Sequence, residues 1–146
     1  MNDVFTDFTS FRLGALSRDL ARYFNSRLAE YNLTIGQALV LYQLLDNEKS
    51  PIKDIASVLE LDSPSVSRLI DKLYKDGLVE RVEDPDDRRA LNISLTAKGI
   101  EAAKKALKVS ADFNELIKET VGKKDYSSLE LSLNKIKNLL RKEEEK

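Results

Sequence analysis

The chain has 146 residues, 42% hydrophobic and 34% charged, with 24 basic against 25 acidic side chains and a formal net charge of −1. That length suits one soluble domain, or two small lobes sharing a core, and buries roughly two thirds of the unfolded surface without a disulfide or metal staple. Histidine and cysteine are both absent, which excludes Ser/His/Asp and Cys/His nucleophilic arrangements, imidazole or thiolate metal sites, and sensing by thiol oxidation. No catalytic residue, metal or cofactor is expected.

The opening MNDVFTDFTS carries two acids and no basic residue. No apolar stretch approaches the roughly 18 residues of a membrane span, so a cytoplasmic protein without a membrane partner is expected. From Phe5 to Tyr31 one side of a long helix is marked by Phe5, Phe8, Arg12, Leu16, Leu20, Tyr23, Phe24, Leu28 and Tyr31, with Arg12 the polar member. Thr34 and Gln37 have the spacing of a capping box, which predicts a second helix to about Leu45. The segment NEKSP breaks it, and Ile52, Ile55, Ala56 and Leu59 form the stripe of a short third helix.

A fourth helix is predicted over SPSVSRLIDKLYKDG, with Ser63 as N-cap, Pro64 at the first helical position and Gly77 at the left-handed position past its end. The pattern then changes period. Leu91, Ile93 and Leu95 alternate with Asn92 and Ser94 as in a half-buried strand, LVERVE is its partner, and DPDDRR lies at the hairpin tip. Thr96 caps a long helix carrying Ile100, Ala103, Leu107, Ala111 and Val121. A break near Gly122 follows, and Ser127 with Glu130 repeats the capping-box spacing ahead of Leu129, Leu133, Ile136 and Leu140. The RKEEEK tail is expected to fray.

A short helix, a tight turn, a capped second helix and a hairpin are the order of a winged helix-turn-helix, which lays its second helix in the DNA major groove. At about 100° per residue, Val66, Leu69, Ile70 and Leu73 share one face of that helix, while Ser65, Arg68, Lys72 and Lys75 point away. Small hydroxyls let a helix backbone approach the groove, and arginine makes bidentate contact to guanine. Ser63, Ser65, Ser67, Arg68 and Lys72 are therefore the candidate major-groove residues. Arg88 and Arg89 at the hairpin tip suit a narrow, electronegative minor groove, with Asp87 orienting an arginine. The bland reading of these residues is a solvated helix face and a surface ion pair. Charge also opposes: residues 50–95 hold seven basic against ten acidic side chains, a net of −3. That balance is consistent with the alternative of a winged-helix protein-interaction module that does not bind DNA. An enzyme would have to rely on carboxylates such as Asp84, Asp86 and Asp87, which sit on one turn with no second segment of ligands.

The string DDRRALNISLTAKG resembles the wing signature of the MarR family of transcription regulators, Asp-x-Arg, five residues, Leu-Thr-x-x-Gly, at Asp87, Arg89, Leu95, Thr96 and Gly99. Upstream, SRLIDKLYKDGLVERVEDPDDRR resembles the family's recognition helix and wing entry at Arg68, Leu73, Gly77, Leu78, Val79 and Arg81. The resemblance covers nearly the whole chain. It implies a mostly α fold with a small β-hairpin wing: a winged helix-turn-helix lobe over 34–95, flanked by a helical dimerisation region from 1–33 and 96–146. It further implies a homodimeric regulator, a repressor in the favoured reading, on a pseudo-palindromic double-stranded operator with half-sites near 34 Å apart. The unpartnered stripes of the terminal helices agree with a two-fold dimer, although they would also serve to bury each other within one chain. Family members respond to small phenolic or anionic effectors. Arg18, Arg22, Tyr31 and Tyr42 are the candidates for such a site, and the same residues serve equally as interface packing and surface charge.

Overall fold

The computed structural model describes residues 4–87 and 90–146. Among the described residues nine elements follow in order, besides two short 3-10 turns: α1 (Thr9–Leu28), α2 (Ile35–Asp46), β1 (Ser50–Pro51), α3 (Ile52–Leu59), α4 (Ser63–Lys75), β2 (Val79–Glu83), β3 (Leu91–Leu95), α5 (Ala97–Val121) and α6 (Lys123–Glu144). The chain divides into two compact units, residues 1–109 and 110–146, with the division inside α5.

The single long helix read over Phe5 to Tyr31 is three pieces. Phe8 is extended (φ −65°, ψ 137°) and separates the 3-10 turn Phe5–Asp7 from α1, and a second 3-10 turn, Ala29–Tyr31, follows. Asn32 then takes a left-handed conformation, one of the few non-glycine residues suited to it, and turns the chain into α2. The predicted capping box is present in both halves: Gln37 N–H donates to Thr34 Oγ1 at 3.3 Å, and Thr34 N–H donates to Gln37 Oε1 at 3.0 Å.

The core of the first unit gathers Leu28, Val40, Leu41, Ile55, Val66, Ile70, Leu73, Val79, Ile93 and Ala103, from α1 through α5. The sheet is antiparallel with order β1-β3-β2. β2 and β3 form the predicted hairpin, in register Val79 to Leu95 and Glu83 to Leu91. β1 was not legible: Ser50 and Pro51 pair with Ile93 and Asn92, and two residues are too few to show an alternation.

The start of α5 is locked to the base of the wing by hydrogen bonds through Thr96. Thr96 N–H donates to Leu78 O at 3.1 Å, Thr96 Oγ1–H to Gly77 O at 2.7 Å, and Gly99 N–H to Thr96 Oγ1 at 3.0 Å. Thr96 is thus the predicted cap. In the second unit, the helix expected to begin at Ser127 begins instead at Lys123, directly after Gly122 with φ 83°. Ser127 Oγ donates back to Lys123 O at 3.3 Å, the mid-helix habit of serine, so the Ser-x-x-Glu spacing marks no helix end here. The terminal RKEEEK is helical to Glu144.

Candidate nucleic-acid interface

Helix α4 has a sharply defined end on each side. Its N-cap is Asp62, one residue earlier than the sequence pattern suggested: Asp62 Oδ1 accepts Ser65 N–H at 2.7 Å, and Ser63 and Pro64 occupy the first two helical positions. Asp-Ser-Pro offers two adjacent residues able to cap. Proline is compatible with either choice, since both early positions lack an intrahelical N–H bond. At the far end Leu78 N–H donates to Leu73 O at 2.9 Å and Gly77 N–H to Tyr74 O at 3.0 Å, with Gly77 at φ 75°. These bonds are the paired closure of a Schellman end, and the left-handed φ is why glycine stands there.

Val66, Ile70 and Leu73 are fully buried and seat α4 on the core. The opposite surface divides into two flanks by helical spacing. On one, Ser65 is half-buried and Arg68 and Lys72 are exposed. Ser65 Oγ donates to Asp62 Oδ2 at 2.8 Å, Arg68 Nη2 donates to Ser65 Oγ at 3.2 Å, and Lys72 Nζ pairs with Asp76 Oδ1 at 3.2 Å. The other flank carries exposed Ser63, half-buried Ser67, Asp71 and Tyr74. There Arg81, from β2, pairs with Asp71 and lays its guanidinium 4.7 Å from the Tyr74 ring centre, tying the wing strand to the helix. Sequence reasoning placed Arg81 in the wing entry without this role, because a pairing across ten residues leaves no periodic trace.

These bonds bear on the charge objection. Three of the acids near α4 are engaged within the lobe, Asp62 with Ser65, Asp71 with Arg81 and Asp76 with Lys72. Asp87 is exposed on the connection between β2 and β3, where its carbonyl accepts Ala90 N–H at 3.1 Å. Arg88 and Arg89 lie outside the described residues.

The carboxyl of Asp62 titrates below its ordinary value. The Ser65 N–H is the main cause, followed by the Ser65 hydroxyl, with a smaller part from the charge of Arg68. A depressed folded pKa means the carboxylate stabilises the fold at pH above the ordinary carboxylate range, and that contribution disappears as pH falls through the lowered value. Urea unfolding of wild type and Asp62→Asn is therefore expected to give a stability difference at pH 7 that shrinks on acidification. A difference that grows with acidity would contradict the assignment.

The four effector candidates have different contacts within the chain. Arg18 is exposed on α1, Arg22 pairs with Asp19 on the same helix, and Tyr42 donates its hydroxyl to Ala106 O at 2.8 Å. Tyr31 lines a cavity of about 690 Å³ together with Lys72, Lys75, Lys98 and Lys105 and the acids Asp76 and Glu101. Lys98 Nζ donates to Asp76 O at 3.1 Å and Lys105 pairs with Glu101 at 3.4 Å. This cluster escaped sequence reading because its lysines come from two helices more than twenty residues apart.

A helix-turn-helix from α3 and α4, followed by the β2-β3 hairpin and backed by β1, defines a winged helix-turn-helix protein. The family model described as "MarR family" matches residues 33–91. The HTH-type transcriptional regulator SarZ of Staphylococcus saprophyticus is 35% identical over 68% of this chain and 68% of its own length. The HTH-type transcriptional regulator BilQ of Clostridioides difficile is 26% identical over 85% of this chain and 84% of its own. In the crystal structure of an S. aureus MepR-DNA complex, the MepR chain superposes with a TM-score of 0.86 at 22% identity, covering 90% of this chain and 97% of that one, which shows a shared fold. The chain belongs to the MarR family, whose members are transcription regulators. Among the described residues no helix is long and apolar enough to cross a membrane.

Proposed function

We propose that the chain acts as a cytoplasmic homodimeric repressor that reads a pseudo-palindromic operator. The observation that carries this reading is the outward flank of α4, where Ser65, Arg68 and Lys72 follow one another at helical spacing on a helix anchored by Val66, Ile70 and Leu73. Arg68 is the base-reading side chain, and Lys72 a phosphate contact. Ser63 and Ser67 allow close approach on the other flank, and Arg88 and Arg89, with Asp87, enter the adjacent minor groove.

Dimerisation through the regions 1–33 and 96–146 is supported by apolar surface left open in each unit. Phe5, Phe8 and Leu16 are exposed in the first, and α6 buries no residue while exposing Leu131, Leu139 and Leu140. A second copy covering such faces is the commonest solution for a soluble chain. For the effector, the lysine-lined cavity beside Tyr31 offers cations and an aromatic wall to a small phenolic or anionic molecule.

The test is a gel shift against DNA upstream of the protein's own gene, across a salt titration and again with 4-hydroxybenzoate as effector probe. A specific complex is expected whose affinity falls steeply with salt. Arg88→Ala is expected to lower the salt slope by about 1 unit. No specific complex at any salt would favour the interaction-module reading, to which the net −3 of residues 50–95 points. An unchanged shift with the probe present would count against the effector.

A further inference from the structure

Three side chains at the start of α4 form a directed chain of hydrogen bonds. Asp62 holds Ser65 twice, taking its N–H on Oδ1 at 2.7 Å and its hydroxyl proton on Oδ2 at 2.8 Å. The same hydroxyl oxygen then accepts Arg68 Nη2–H at 3.2 Å. A serine hydroxyl has one proton to give, and here it goes to a carboxylate of its own helix. Capping requires only the first of these bonds. The second turns the hydroxyl's lone pairs toward Arg68, so that a carboxylate, a hydroxyl and a guanidinium stand in line along one flank. Arg68 spends one N–H on this link and retains four for a ligand.

We propose that Asp62, acting through the Ser65 hydroxyl, is the positioning residue that aims Arg68 at its base pair, and that Ser65 is a link within the protein in place of a DNA contact. This rests on the operator-reading function proposed above. A long exposed side chain loses rotamer freedom when it engages a base edge, and a side chain already held in one orientation loses less. The gain is realised only where Arg68 meets its own base, so the relay controls selectivity at that position more than total affinity. Asp62 is charged at neutral pH as any aspartate is, and its bonds to Ser65 extend that to lower pH.

The experiment is selection of bound duplexes from random DNA by the full chain and by Arg68→Ala, Asp62→Asn, Ser65→Ala and the Asp62→Asn/Arg68→Ala double variant. Asparagine caps helices as well as aspartate does, so Asp62→Asn preserves the helix start while placing an amide donor where Ser65 needs an acceptor. A thermal melt of each variant separates loss of fold from loss of selectivity, and Ser65→Ala decides the matter if Asp62→Asn does not fold. Arg68→Ala is expected to flatten one position of the motif and its symmetry mate. Asp62→Asn and Ser65→Ala are expected to flatten that same position, by about tenfold in discrimination, and the double variant to be no worse than Arg68→Ala alone. The relay is overturned if folded Asp62→Asn discriminates as wild type does, or if Ser65→Ala flattens a different position and adds to the loss from Arg68→Ala. Failure of the unsubstituted chain to enrich any motif would overturn the operator reading itself, and the relay with it.

Discussion

Gly99→Ala is expected to destabilise the protein by about 3 kcal/mol and to lower the melting temperature by roughly 10 °C. A Cβ at that position would fall well inside contact distance of the Leu78 carbonyl oxygen and 2.9 Å from its carbonyl carbon. The obstacle is backbone, which has no rotamer to relax into. The same carbonyl accepts Thr96 N–H, so moving it also loosens the junction between α5 and the wing. Intrinsic propensity acts in the opposite direction, since alanine is better than glycine inside a helix by about 1 kcal/mol. The sign of the change therefore decides between the two effects. A thermal melt showing Gly99→Ala equal to or more stable than wild type would mean that α5 does not pack on Leu78 as described.

Arg68→Ala is expected to weaken operator binding by about 1 to 3 kcal/mol, about fivefold to somewhat above a hundredfold, with relaxed preference at one position of the site. The fold should be unaffected, because Arg68 is exposed and its bond to Ser65 joins two groups on the helix surface. Lys72→Ala should behave differently. As a phosphate contact it contributes equally to every sequence, and its removal also leaves the Asp76 carboxylate without its cation. Affinity is then expected to fall by a similar factor on operator and nonspecific DNA alike. Fluorescence anisotropy on both duplexes separates these outcomes. An Arg68→Ala variant that loses affinity uniformly would reassign that arginine to the backbone.

The features legible in the sequence are those that repeat over a few residues. The apolar face of α4, the Thr34–Gln37 box and the Thr96 cap are set by spacing within one element, and the structure shows each of them. The strand read from Leu91, Ile93 and Leu95 is also present, but of the three only Ile93 is buried and Leu91 is exposed. Two local signals proved ambiguous. Asp62 and Ser63 are both able to cap α4, and the N–H of Ser65, three residues after Asp62, is the one captured. Ser127 and Glu130 have box spacing, but Gly122 with its positive φ had already set where the helix begins.

What the sequence did not disclose depends on residues far apart in the chain. β1 exists because Ile93 already stands in a sheet. Arg81 finds Asp71 and Tyr74 only after the wing has folded against α4. The lysines around the Tyr31 cavity meet because α4 and α5 both end or begin at the wing base. The Asp62–Ser65–Arg68 line had the spacing to be seen, but hydroxyl direction is set by partners and not by periodicity.

The most direct measurement of the central claim is an NMR titration of the full chain with its selected duplex, following backbone amides and arginine side-chain signals. The account predicts the largest changes along Asp62 to Lys72, with the Arg68 guanidinium signals shifting strongly and those of Arg81, occupied by Asp71 and Tyr74, changing little. Changes confined to α6, or no change along α4 at duplex concentrations that saturate binding, would contradict it.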